Sequence, residues 1–395
     1  MKKIIALTLL LALLLSGCGG NAQPTETTVP ETTAAPTTEP TTVPTEPEVY
    51  YNPLNGEILE EPFTKRIYAS TITNTQDALP HVSANEADIV FEAYVSRGVV
   101  RCVGLFTDFE SQEAIGATRS TRLLINQIAH HYDAILIHGG GFSQVLQDAA
   151  ARQLDHFNVD SLYRQGDPLA KAVAYRDKEY KRQAPNNLFV YGPGVVEYVE
   201  AQGVRTTQPA DKDYSLTFVE DATPAGGEIA DEITITFGQK TKTTTMVYDE
   251  ETGKYVWNQY GKEMTDQITG EKEAFNNVVI MQADVYENYI YQEANFHVGG
   301  TGYYACGGKI IPMKWECNDP NAVSPFHFMT EDGEHLDFNM GNTYVAIVGF
   351  WNPLEWKEVI PPETVPETTA ETVAQTVAET TVETTVETTA ETVNQ

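Results

Sequence analysis

The chain has 395 residues, with 56 acidic against 25 basic side chains and a formal charge of −31. Residues 1–48 and 361–395 hold 12 of the acids and two of the bases, so residues 49–360 keep 44 against 23, a formal −21. Such an acid excess excludes nonspecific nucleic-acid binding, which depends on neutralising phosphates, and argues against a second, electrostatic attachment to anionic lipid.

Lys2-Lys3 is followed by an apolar run over residues 4–15, which ends at Leu15-Ser16-Gly17-Cys18. A charged start, an apolar stretch and small residues before a cleavage point describe a secretory signal over residues 1–17. The run is well short of the ~20 residues of a spanning helix. Its last four residues match the bacterial lipobox, which implies diacylation of Cys18 and an anchor on the outer face of the cytoplasmic membrane. Residues 18–48 are nearly all Thr, Glu, Pro, Ala and Val, a composition that cannot bury enough apolar surface to offset its ordering entropy. They read as a disordered, proline-stiffened tether.

Residues 66–72 form the first expected strand, and 88–95 and 99–106 are β-branched and aromatic runs around Ser96-Arg97-Gly98, a hairpin signal. In the first run, period-two alternation sets Asp88, Val90 and Glu92 on one face. Residues 118–132 place Leu124, Ile125, Ile128, Ala129 and Tyr132 on one helical stripe, with Thr118 as a plausible N-cap. Then come a buried strand at 133–137, the loop His138-Gly-Gly-Gly141, a helix over 143–154 and another from Pro193 to about Ala201. Alternating strands and helices predict an α/β layered domain over residues 49–205.

Past a polar stretch at 205–213 the character becomes β-rich, with alternating runs at 215–219, 232–237, 243–248, 254–257, 278–281 and 344–348. The expected class is α+β: an N-terminal α/β layer, then an antiparallel β-rich domain over residues 206–360, flanked by disordered tails. The tail, 361–395, repeats Glu-Thr-Thr-Val in a four-residue beat. As a helix it would stack like charges at i,i+4 on residues of poor propensity.

With Cys18 taken by lipid, Cys102, Cys306 and Cys317 are an odd set. Cys306 precedes a turn at Gly307-Gly308, and Cys317 lies too far along the return strand to meet it. No disulfide, metal site or cofactor is expected: there is no CxxC and no HExxH.

Arg119 and Arg122, in Ile115-Gly-Ala-Thr-Arg-Ser-Thr-Arg122, would share the first turn of a helix and oppose its dipole, at ~0.3–1 kcal/mol each. Asp88 and Glu92 on the neighbouring strand could compensate them as an internal network. So could an anionic ligand held by the guanidinium forks and helix N–H groups. Arg101 would enlarge either arrangement. His138, Gly139 and Gly140 follow a strand and open a helix, where α/β proteins often bind ligands; the loop lacks the GK[ST] of a phosphate-binding loop. His138 could be a general base or a hydrogen-bonded structural residue, and Ser143 an N-cap. The basic segment 175–187 is either a solvated loop or one that closes over the same arginines.

At these residues the chain resembles the YerB family of Gram-positive lipoproteins, built of paired N- and C-terminal domains of unknown function. The resemblance rests on Asn52-Pro-Leu-Asn-Gly56, Glu86-Ala-Asp-Ile-Val-Phe-Glu92, Arg101, the arginine segment, Tyr132-Asp-Ala134, His138-Gly-Gly140 and Lys181-Arg-Gln-Ala-Pro-Asn-Asn187. Gly302-Tyr-Tyr304, Gly308-Lys-Ile-Ile311 and Gly341-Asn-Thr-Tyr344 carry it through the second half. Asn186 departs from the histidine common in the family, and Thr73-Asn-Thr-Gln76 lacks its Asn-His pair. Proton transfer through those positions is thereby disfavoured.

The leading reading is a membrane-anchored binding protein whose partner is an envelope protein or an anionic envelope polymer held by an arginine-lined cleft. One alternative is a phosphotransferase or hydrolase acting on a phosphate-bearing, lipid-linked substrate, which alone would call for a divalent cation. Another is a solute-binding lipoprotein, disfavoured by the lack of two similar α/β lobes.

Overall fold

Two β-rich runs separated by a glycine turn start the central sheet. Strand Ile89–Ser96 turns through Arg97 and Gly98 into strand Val99–Phe106, antiparallel, and strand Tyr68–Thr73 adds to its far edge. Strands Ile135–His138 and His156–Asn158 continue that side in parallel. The structure, a computed structural model, describes residues 49–238, 242–318 and 323–360. The signal segment with Cys18, the tether and the repetitive tail lie outside them. Among the described residues no helix is long and apolar enough to cross a membrane.

The sheet does not stop at the polar boundary. Strand Thr343–Gly349 pairs in parallel with Ile89–Ser96 on one side and with Asn277–Ala283 on the other. The hairpin Gly300–Cys306 and Lys309–Cys317 then extends the sheet. Its turn is Gly307-Gly308, with φ of +57° and +73°, as a tight two-residue hairpin connection requires. The described chain is thus mostly strand, with its α-helices confined to residues 123–201. Strands from residues 49–205 form one end of a mixed sheet whose other end belongs to residues 206–360. Cys102, Cys306 and Cys317 are buried, and no disulfide joins them among the described residues.

Every residue of Thr343–Gly349 is buried, as a parallel strand covered on both faces must be. Val345 and Ile347 join Phe91, Val103 and the helix residues Leu124, Ile125 and Ile128 on one face. Tyr344 and Ala346 join Val90, Cys102 and Ile280 on the other, against Ile233, Ile235 and Trp257 of a second, antiparallel sheet. That sheet is built from Glu232–Phe237, Lys242–Asp249, Lys254–Gln259 and Leu354–Lys357. Each fully buried aliphatic side chain contributes about 1.5–3 kcal/mol, so this two-faced strand is a large share of what joins the halves.

Alternation also sends one carboxylate between the sheets. Glu92 shares a face with Val90 and is 0 % exposed. The Lys242 ammonium pairs with its Oε1. Asn74 donates to the same oxygen at 2.7 Å, and Tyr344 and Thr244 donate to Oε2 at 2.6 and 2.9 Å. Lys242 Nζ also lies 5.5 Å from the Trp257 ring centroid, so its charge faces both an anion and a π-face. Asn74 continues to His81 at 3.2 Å, and His81 to the buried Glu273 at 2.8 Å.

Removing one member of a buried pair strands the other charge. Lys242→Met is therefore expected to lower unfolding stability by roughly 3–5 kcal/mol, and Glu92→Gln added to it should recover part of that loss in urea titrations. Strictly additive losses would show that the two groups do not act as a pair.

Candidate functional site

The helix expected from residue 118 starts later, as Leu123–His131, with Arg122 in the N-cap position. Backbone groups of the preceding residues are engaged elsewhere. The Thr118 N–H donates to the Leu188 carbonyl at 2.8 Å and the Thr121 N–H to that of Gly140 at 3.0 Å. The Arg119 carbonyl accepts from Gly139 N–H at 2.8 Å and from the Thr71 hydroxyl at 2.5 Å. Thr118 is not a cap: its hydroxyl meets that of Thr71 at 2.9 Å. Arg119 and Arg122 therefore project from an extended segment laid across the strand ends, ahead of the helix.

Arg101, Arg119 and Arg122 converge there. Arg101 and Arg122 both direct Nη1 to the Ser120 carbonyl, and Arg122 also donates to the Thr121 carbonyl at 2.8 Å. Arg101 is 4 % exposed and Arg122 8 %, and the Nε of each is buried without a hydrogen-bond partner. Arg122 stacks over Phe142 and Tyr291, at 5.5 and 5.9 Å. Half-buried Arg119 donates to Asn186 Oδ1 at 2.9 Å. Burial, and then the neighbouring Arg122 and Arg119 charges, push the Arg101 pKa well below the usual guanidinium range. Arg119 is lowered by burial and by Arg176, and Arg122 chiefly by burial. Among the described residues none of the three has a carboxylate partner.

The acids expected to compensate them are engaged elsewhere. Glu92 pairs with Lys242 on the opposite face of the sheet from Arg101, because Arg101 lies across from Ala93 in the ladder and Glu92 across from Cys102. Asp88 sits just before its strand and organises the Asn52-to-Gly56 turn. Asn52 and Asn55 donate to Oδ1 at 3.1 and 2.7 Å, and Thr107 donates to Oδ2 through its N–H at 2.6 Å and its hydroxyl at 2.9 Å. Burial raises the Asp88 pKa to about 6 against these hydrogen bonds. A cavity of about 1160 Å³ opens beside it, lined in part by Asn52, Asn55 and Asn342.

His138 is also committed to structure. It is 0 % exposed. Its Nδ1 donates to the Gly140 carbonyl at 2.6 Å, which leaves Nε2 to accept from His156 Nδ1 at 3.0 Å. Burial and His156 lower its pKa to about 3. Neither ring nitrogen is left to serve as a base. The glycines do allow a close approach, but to the arginine segment: a Cβ on Gly140, whose φ is +111°, would lie 3.0 Å from Ser120 Oγ, and one on Gly139 3.3 Å from the Thr118 carbonyl. No group of three or more His, Cys, Asp or Glu among the described residues could hold a metal ion.

Segment 175–187 has an exposed crest whose two asparagines reach inward, Asn186 to Arg119 and Asn187 to Arg176 at 2.7 Å. Its Arg182 donates to Gln267 Oε1 at 2.6 Å and to the Pro80 carbonyl, tying the loop to the second half. Lys242 and His81 were not distinguished by sequence, and Asn74 and Arg176 only as members of segments 73–76 and 175–187. Lys242 stands 150 residues from Glu92, and nothing local marks it.

Because the folded pKa of Asp88 lies above its ordinary 3.8, its contribution to stability is fully present below that value and is lost as pH rises through about 6. The stability difference between wild type and Asp88→Asn should therefore widen as urea titrations move from about pH 7 to about pH 4. A difference that stays flat would show a carboxyl titrating normally.

Sequence profiles of the family described as "Protein of unknown function (DUF3048)" match this chain, the N-terminal domain over residues 54–205 and the C-terminal domain over 233–345. YerB of Bacillus subtilis (strain 168), provisionally described as a lipoprotein, is 24% identical over 303 residues, 75% of this chain and 85% of its own. The crystal structure of YerB from Bacillus subtilis matches with a TM-score of 0.64 at 21% identity, covering 77% of this chain and 99% of that one. At that identity the structural likeness is one of fold. With both domains of the profile matched in order, the chain belongs to the DUF3048 family.

Proposed function

We propose that this is a lipid-anchored protein of the outer face of the cytoplasmic membrane, held through Cys18, whose folded part binds an anionic group of an envelope polymer or protein through Arg101, Arg119 and Arg122. The observation that carries the reading is the pair of buried guanidiniums, Arg101 and Arg122, each with an unpartnered Nε and no carboxylate beside it. Gathering like charges out of water costs several kcal/mol per ion unless an opposite charge compensates. A phosphate or carboxylate brings that charge together with acceptors shaped for guanidinium forks. Arg119, less buried than the other two, is the member a ligand meets first. Binding is favoured over phosphoryl transfer because Asp88 and Glu92 are occupied elsewhere and supply neither a base nor a cation ligand beside the arginines. The anchor rests on the residues around Cys18 and on the description of the relative as a lipoprotein.

In a thermal-shift titration, inorganic pyrophosphate should raise the melting temperature above that seen in sodium chloride of equal ionic strength. At a hundredfold excess over Kd the stabilisation is about 2.7 kcal/mol. Arg119→Ala should remove it. An equal rise in that variant, or in chloride alone, would defeat the anion-site reading. Separately, Cys18→Ala should move the protein from the membrane fraction to the soluble one; unchanged fractionation would exclude the lipid anchor.

A further inference from the structure

A pocket of about 230 Å³, with none of Arg101, Arg119 and Arg122 in its lining, lies at the end of the central strand Thr343–Gly349. Trp351 follows that strand and folds back so closely that a Cβ on Gly349 would lie 2.7 Å from its ring. The indole is thus packed beside the Gly349 backbone, and the residue is still 60 % exposed. Tyr286, 44 % exposed, and Tyr94 line the same pocket, with Gln292, Glu287 and Asn352 as polar members, the Asn352 amide already bonded to the Gly349 N–H and the Gly238 carbonyl. Gln292 is 7 % exposed, and its amide has no hydrogen-bond partner among the described residues. Glu287 stands at the rim, 3.2 Å from Arg97.

The lining selects its occupant. Among the described residues no lysine or arginine lines the pocket, and residues 49–360 carry a formal −21, so an anion is disfavoured. An apolar side chain from a peptide would cover the Gln292 amide and leave it unpaired, at a cost of about 1–3 kcal/mol. A ligand that satisfies both kinds of wall needs an apolar flat face for the rings and, on its edge, groups that both donate and accept hydrogen bonds for Gln292 and Glu287. A sugar ring has both: axial C–H bonds on its faces and hydroxyls around its rim. The volume, below the ~300–1,000 Å³ of pockets that take drug-sized ligands, suits a single ring.

We propose that this pocket is a glycan subsite that seats one neutral pyranose ring of an oligosaccharide, with Trp351 as its platform and Gln292 and Glu287 reading its hydroxyls. The subsite is independent of the arginine cluster and does not rest on the anion-binding reading.

The test is isothermal titration of the purified full chain with two neutral probes, chitotetraose and cellotetraose. Saturable binding of at least one is expected. Trp351→Ala should weaken it about tenfold or more, and Gln292→Leu by about tenfold, the equivalent of ~1.4 kcal/mol. Arg119→Ala should leave sugar binding unchanged and Trp351→Ala should leave the pyrophosphate response unchanged, so the two sites fail separately. Should Trp351→Ala lose its cooperative melt, Gln292→Leu and Glu287→Gln carry the test. Absence of binding by both sugars at ~10 mM, where a dissociation constant near 1 mM would nearly saturate, overturns the proposal. So does unchanged affinity in all folded variants, or capture of aromatic peptides in place of sugars.

Discussion

A carboxylate enclosed between two sheets must be given its opposite charge before either sheet can close over it, and in this chain Glu92 receives that charge from Lys242, 150 residues away. Three neutral donors, from Asn74, Thr244 and Tyr344, complete its coordination. Two of the three belong to the second half. The ion pair and its donors therefore align the strand Ile89–Ser96, the seam strand Thr343–Gly349 and the second sheet in one arrangement. A shift of any of them by one residue would turn its polar contact to the wrong face. The Asn74–His81–Glu273 chain extends the same polar line toward the strand pair Ala274–Phe275 and Lys254–Gln259. Hydrophobic burial supplies the bulk of the stability, and this line specifies the register in which it is gained.

Local patterns made several elements legible. The runs around Arg97-Gly98 form their hairpin, the apolar stripe from Leu124 to Tyr132 faces the core, and Gly307-Gly308 closes a turn. What was not legible depends on distant partners. Thr118 has the chemistry of a cap, but its N–H goes to Leu188 and its hydroxyl to Thr71, so the helix begins five residues later. Asp88 and Glu92 share a face by alternation, yet one meets Asn52 and Asn55 and the other Lys242. Strand order is equally opaque: no residue in 343–349 signals that its neighbour is 89–96.

The region around the arginines divides into two kinds of chemistry. His138 and the glycine loop, attractive in sequence as a ligand-binding turn, hold the extended segment 118–121 in place through Gly139 N–H and the Gly140 carbonyl. The guanidiniums they position are left short of acceptors. Asn186, where the resembled family tends to carry histidine, gives Arg119 a neutral acceptor with no titration near physiological pH. Burial lowers the pKa of both histidines that remain at this end, that of His138 to about 3.

The seam strand also sets a timetable. Residues 89–96 leave the ribosome some 250 residues before 343–349, and until those arrive Ile89, Val90, Phe91, Ala93 and Val95 offer an unpaired ladder with apolar residues on both faces. Such an edge is a template for pairing with any other extended chain. Non-local, parallel pairing is also slow to form, because loop closure precedes its reward. A nascent chain of this protein thus carries an open hydrophobic edge through most of its synthesis, and one of its last strands shields it from its neighbours.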